Sequence, residues 1–167
     1  MNITVKETTH SDLENIMSLW NNGKVMFYVG FPNGLGITMP ELEDWLKSVD
    51  ENKPLRKHYS IYEETLGYCG ETYYEVLQDG LACMDIKLLP KAQGKGIARY
   101  VLKFALKELF DSNLATRAYV EPNNKNLAAL RLYNSLGFKK ALRPDFLEIE
   151  DPDICTYMEV TKDSLIE

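Results

Sequence analysis

The chain has 167 residues, 45% of them hydrophobic, which suits one domain with a core of ordinary size. Its net charge of −6 argues against general nucleic-acid binding, where a basic face is expected. No apolar run approaches the roughly 20 residues of a membrane span, and the N-terminus lacks a basic segment followed by an apolar one, so a soluble cytoplasmic protein with no membrane partner is expected.

In chain order, "ITVKE" alternates and predicts a short first strand. "SDLE", Ser11 to Glu14, has the form of a capping box and precedes Leu13, Ile16, Met17 and Trp20 at helical spacing, so a helix is expected there. "VMFYVGFPNGLG" is an aromatic, glycine-rich connection, and "TMPE", Thr38 to Glu41, is a second capping box opening a helix to about Val49. "HYSIYEE", "GYCGETYYEV" and "GLACMDIKLL" are rich in strand-forming residues and separated by turn signals, which predicts an antiparallel meander. A helix to about Phe110 follows, with Ile97, Val101, Phe104, Ala105 and Leu109 as its apolar stripe. "LATRAYVE" predicts a strand, Asn126 to Leu136 a last helix ended by Gly137, and "FKKAL" and "ICTYMEV" two closing strands joined by the acidic loop Arg143 to Asp153. Parallel pairing is expected across the helix that links Leu88 to "LATRAYV", giving an α+β or α/β sheet.

Charge is unevenly spread. Lys87, Lys91, Lys95, Arg99, Lys103 and Lys107 fall in a stretch without a carboxylate, so the remainder is strongly acidic. The basic stretch contains "LLPKAQGKGIARYVLKF", where a strand gives way through Gly94 and Gly96 to a helix start. First-turn amides there lack intrahelical partners, the helix dipole is positive, and glycine lets the backbone close on a ligand, a geometry that holds phosphates. Lys95 and Arg99 stand four apart on one side of that turn. The glycine spacing matches neither a P-loop nor a dinucleotide fingerprint.

"QGKGIA", Gln93 to Ala98, together with "NLAALRLYNSLGF", Asn126 to Phe138, resembles the two signature motifs of the GNAT superfamily of N-acetyltransferases. The resemblance is closest over about Gly80 to Lys139. It implies a mixed, mostly antiparallel sheet of about seven strands flanked by four helices and splayed between the fourth and fifth strands, in one acyl-CoA N-acyltransferase domain spanning the chain. It also implies acetyl-CoA as co-substrate. Backbone groups of Ile86, Lys87 and Leu88 would bind the pantetheine arm, and Gln93, Gly94, Lys95, Gly96, Ile97, Ala98 and Arg99 would hold the pyrophosphate. Asn126 would contact the pantetheine or the phosphate region, and Tyr133 would stand near the thioester sulfur.

The implied reaction is direct attack of a primary amine on the thioester, with Tyr133 as the candidate acid for the leaving thiolate. Three carboxylates are candidate bases. Glu121 matches a glutamate of the ribosomal-protein alanine acetyltransferases that this segment resembles, while Glu71 and Asp85 lie on expected strands where they would face a substrate cleft; each has an exposed strand carboxylate as its plain alternative. Phe27, Tyr28 and Phe31 are candidates for the acceptor wall. The acceptor is open among small amines, polyamines and peptide N-termini, and the resemblance suggests a homodimer through the C-terminal strands. Cys69, Cys83 and Cys155 lack CxxC spacing, and His10 and His58 read as surface residues, so no metal site is expected. Two alternatives stand beside the enzyme: a non-catalytic acyl-CoA sensor of the same fold, and a small phosphotransferase, disfavoured because Gly96 and not Ser or Thr follows Lys95.

Overall fold

The computed structural model describes residues 1–148 and 153–166. Its strands are β1 (Ile3–Glu7), β2 (Arg56–Glu63), β3 (Gly67–Val76), β4 (Leu81–Leu88), β5 (Arg117–Val120), β6 (Lys139–Lys140) and β7 (Met158–Thr161). Its helices are α1 (Leu13–Trp20), α2 (Gly23–Met26), α3 (Met39–Glu51), α4 (Ile97–Asp111) and α5 (Leu127–Ser135). The strands form one sheet in the order β1-β2-β3-β4-β5-β7-β6. Every pairing is antiparallel except β4 with β5.

That exception shapes the molecule. β4 and β5 pair only from Leu81–Arg117 to Cys83–Tyr119, whereas β4 continues against β3 as far as Leu88. From Met84 onward the β4 edge facing β5 therefore has no strand beside it, and the sheet opens into a split. Among the described residues, seven strands, mixed pairing and the opening after the fourth are as the resemblance implied, and the helices number five rather than four.

The extra helix is α2, a single turn inside the segment read as a plain connection. Asn22 caps it by accepting from the Lys24 amide at 3.0 Å. Four residues are too few to display helical periodicity, so composition alone hides it. The first capping box is also displaced. Thr9 and Asp12 form it, with the Thr9 amide 2.9 Å from Asp12 Oδ2, and they open a 3-10 turn that runs into α1. Thr38 and Glu41 cap α3 as their spacing indicated, the Thr38 amide donating to Glu41 Oε2 at 2.8 Å.

Helices cover both faces. On one, Leu13, Ile16, Leu19, Leu42 and Leu46 of α1 and α3 pack with Tyr68. On the other, Leu102, Leu106 and Leu109 of α4, Tyr133 of α5 and Leu136 just after it pack on Tyr74, Met84 and Ala118. Each fully buried aliphatic side chain contributes roughly 1.5–3 kcal/mol, so these stripes anchor the helices whose ends flank the split. No described helix is long and apolar enough to cross a membrane. Of the acidic loop, residues 149–152 lie outside the described residues, and the remainder joins β6 to β7 as the sequence indicated.

Candidate active site

The turn after β4 is built as a cradle. Gly94 and Gly96 have φ of 70° and 79°, a left-handed conformation that side-chain-bearing residues adopt only at a cost. A Cβ at either position would meet nothing within 4 Å, so both glycines leave open space in front of the turn. Gly96 caps α4 and its carbonyl accepts the first helical bond, from the Tyr100 amide at 3.2 Å. Amides of the preceding residues are thus left without an intrahelical acceptor, and no carboxylate stands in the first turn. Gln93 ties the turn to the strand, donating from Nε2 to the Leu88 carbonyl at 3.0 Å. Lys95 is exposed. Arg99 instead donates to the Ser135 carbonyl and hydroxyl at 2.6 and 2.8 Å, which fastens α4 to the end of α5.

The cradle and the open β4 edge lie in succession, and both suit an extended ligand with an anionic group. Ile86, Lys87 and Leu88 lie along that edge; the Ile86 amide is held by Asp85 Oδ1 at 2.8 Å. Asn126 caps α5, its Oδ1 accepting from the Ala129 amide at 3.1 Å. Ile97 is fully buried and Ala98 partly so, anchoring the first turn beneath the cradle.

Tyr133, on α5, is buried, with its ring edge-on to Phe138 at 5.4 Å. Burial raises its phenol well above the ordinary range, and the nearby Asp85 and Cys83 add to the effect. Both neighbours lie on β4, Cys83 at the last pair with β5 and Asp85 beyond it, and the phenol stays protonated across the neutral range.

On the α1 and α3 face lies a pocket of about 200 Å³, lined by Trp20, Trp45, Arg56, His58, Glu71, Tyr73, Glu75 and Lys87. Its floor is Glu71, 2% exposed. Glu71 accepts from Trp20 Nε1 at 2.7 Å, is bonded to His58 Nε2 at 2.8 Å, and lies 3.6 Å from Lys87 Nζ. Burial by itself would raise this carboxyl, but His58, Lys87 and Trp20 outweigh it and hold it down to about 2. Lys87 also bonds Asp85 Oδ2 at 2.6 Å; burial opposes its charge, while Asp85 and Glu71 raise it above the ordinary lysine value. Behind His58, its Nδ1 lies 2.7 Å from the Thr8 hydroxyl, which lies 2.8 Å from the Ser60 hydroxyl.

His58 is thus a buried residue, correcting the surface reading. The period-2 placement in β2 puts it on the same face as its cross-strand partner Tyr73, and a lone histidine in sequence carries no sign of that pairing. The sequence showed Trp20 only as a member of a helical apolar stripe and the second helix only as a span to about Val49; the rings of Trp20 and Trp45 meet edge-on at 4.9 Å, and Trp45 meets His58 at 4.7 Å.

The remaining candidates are placed elsewhere. Glu121 follows β5 and its carboxylate is ion-paired with Arg143. Phe27, Tyr28 and Phe31 are 56%, 41% and 42% exposed, and none lines the pocket, although their segment begins just after Trp20. A larger, shallow hollow of about 460 Å³ on the outer side of α3, beside His10 and Glu43, holds no buried ionisable group and is remote from the split.

A model of the acetyltransferase (GNAT) domain matches residues 2–139, and the chain belongs to that family. No curated protein matches it in sequence at a significant level. Its fold is shared with the spermidine N-acetyltransferase of Vibrio cholerae in complex with CoA and spermine: 21% identity, 97% of this chain and 96% of that one covered, TM-score 0.79. An acetyltransferase of the GNAT family from Streptococcus pneumoniae superposes at TM-score 0.78 and 17% identity, over 99% and 100% of the two chains. The protein yncA of Salmonella typhimurium, in a structure with its cofactor acetyl-CoA, superposes at 0.73 and 16% identity, over 95% and 93%.

Proposed function

We propose that the protein is an acetyl-CoA-dependent N-acetyltransferase that acetylates a primary amine by direct attack in a ternary complex. The observation that carries this reading is the arrangement along β4: the open cradle at Gly94–Gly96 follows one end of the strand, and Lys87 of the same strand lines the Glu71 pocket; the buried Tyr133, whose phenol feels Asp85 of that strand, supports it. Cofactor, acceptor and proton donor then have separate places that converge. The CoA and acetyl-CoA present in two structural relatives support the same use of the cradle here.

Acetyl-CoA supplies an activated acetyl group. The amides from Gly94 to Arg99, with Lys95, would hold its pyrophosphate, and the β4 edge from Ile86 to Leu88 its pantetheine arm, once Asp85 yields the Ile86 amide. Tyr133 holds the proton that the leaving sulfur takes up. Glu71, kept ionised, anchors the acceptor's ammonium; a carboxylate held down to about 2 is a weak base, so the ammonium proton is lost to water from an amine positioned there. The engagement of Glu121 by Arg143 weighs against a ribosomal-protein-like base at that position.

Calorimetric titration with CoA, beside thiol release from acetyl-CoA with a panel of amines, tests the reading. Binding together with amine-dependent thiol release is expected. Binding without release for every amine would favour a sensor, and no binding would remove the reading. Gly96→Val, which puts a branched side chain into the open cradle at a left-handed position, is expected to weaken CoA binding at least tenfold while the fold is kept.

A further inference from the structure

We infer that the Glu71 pocket selects a compact amine carrying one ammonium beside a flat apolar body, and discriminates against polyamines. This rests on the acetyltransferase reading and deepens it, because it names the acceptor class.

The first ground is charge. Glu71 and Glu75 share the lining with Arg56 and Lys87, and Asp85, outside the lining, bonds Lys87 at 2.6 Å, so three carboxylates meet two cations. Lys87 is engaged by both Asp85 and Glu71, and Arg56 Nε lies 4.0 Å from Glu75. What is left over is at most a single negative charge, which one ammonium neutralises. A second and third ammonium would have to pass Arg56 and Lys87, and like charges inside a partly dry pocket repel strongly.

The second ground is shape. The walls are the rings of Trp20, Trp45 and Tyr73, and the volume of about 200 Å³ is below that of the usual drug-sized cavity. Aromatic faces attract both a cation and a planar apolar group. A short arylalkylamine satisfies all of these walls, with its nitrogen at Glu71 and its ring against the tryptophans. A longer polyamine would leave part of its chain and charge outside those walls.

The chain has two tryptophans, and both line this pocket, so intrinsic fluorescence reports binding here without any need for turnover. The protein, with and without saturating CoA, is titrated with 2-phenylethylamine and with spermine, and initial rates with acetyl-CoA are measured for the same amines. The expected result is a tryptophan response to 2-phenylethylamine with Kd at least tenfold below that for spermine, and the same order in kcat/KM. Spermine binding as tightly or more tightly, with an equal tryptophan response, would overturn the inference. Arg56→Glu is expected to narrow the gap at least fivefold by strengthening spermine binding; an unmoved gap would show that pocket charge does not select. Trp45→Phe is expected to retain 2-phenylethylamine binding and Trp45→Leu to weaken it at least fivefold, read from the remaining Trp20. Equal binding by the two variants would remove the aromatic part of the argument. If CoA does not bind and no amine releases thiol, the acetyltransferase reading falls, while the fluorescence ranking of the two amines still decides this one.

Discussion

Replacing Tyr133 with Phe is expected to lower kcat by roughly 10²–10⁴-fold, the usual range for a positioned general acid, with CoA affinity little changed. The ring would keep its edge-on contact with Phe138 and its place in the core, so folding should be preserved and the loss assigned to the hydroxyl. The sign of the phenol's shift supports the role. A proton donor must be protonated when the thiolate leaves, and burial beside Asp85 and Cys83 favours the neutral phenol over the phenolate. The wild-type enzyme should therefore show no fall in kcat from phenol ionisation as pH approaches the ordinary tyrosine value near 10. Stopped thiol-release assays across pH check both statements; an undiminished kcat in Tyr133→Phe would pass the proton delivery to water.

Much of the fold was written in short-range pattern, and the site only in part. The strand and helix periods of β2 to α4 and the box at Thr38–Glu41 are local, so they survive reading without coordinates. The glycines of the cradle were legible for the same reason: a strand, two glycines and a helix start are consecutive in the chain. The acceptor pocket is the opposite case. Trp20, Trp45, His58 and Glu71 come from four different elements, α1, α3, β2 and β3, and their convergence depends on the β2–β3 register and on which way two amphipathic helices roll onto the sheet. A tryptophan that completes an apolar stripe gives no sign that its indole N–H meets a buried carboxylate 51 residues away. Arg99 shows the converse. Its spacing from Lys95 suggested a second anion contact, yet the Ser135 carbonyl at the end of α5 takes its guanidinium, an attraction that a helix C-terminus offers and a one-dimensional spacing rule omits.

His58→Ala is expected to destabilise the fold by about 1–3 kcal/mol, the cost of removing one hydrogen-bond partner from a buried carboxylate. In a domain of this length that corresponds to a fall in Tm on the order of 5 °C. The contact is nearly buried although both residues border the pocket: Glu71 is 2% and His58 4% exposed, and the imidazole's far nitrogen meets Thr8. Adding Glu71→Gln to His58→Ala should recover part of the loss, because the amide removes the unpaired charge while keeping its contact with the Trp20 indole. A thermal-melting double-mutant cycle would expose that coupling, and simple additivity would refute it. The same carboxylate sets an acid dependence. Its folded-state value of about 2 lies below the ordinary 4.5, so its contribution is fully present above about pH 4.5 and is lost as pH falls towards 2. A shift of that size is worth on the order of 3 kcal/mol, and urea melts of wild type and Glu71→Gln should therefore converge in stability as the solution is acidified through that window. A constant gap between them would place the stabilising charge elsewhere and leave Glu71 as a hydrogen-bonding spacer between α1 and β2.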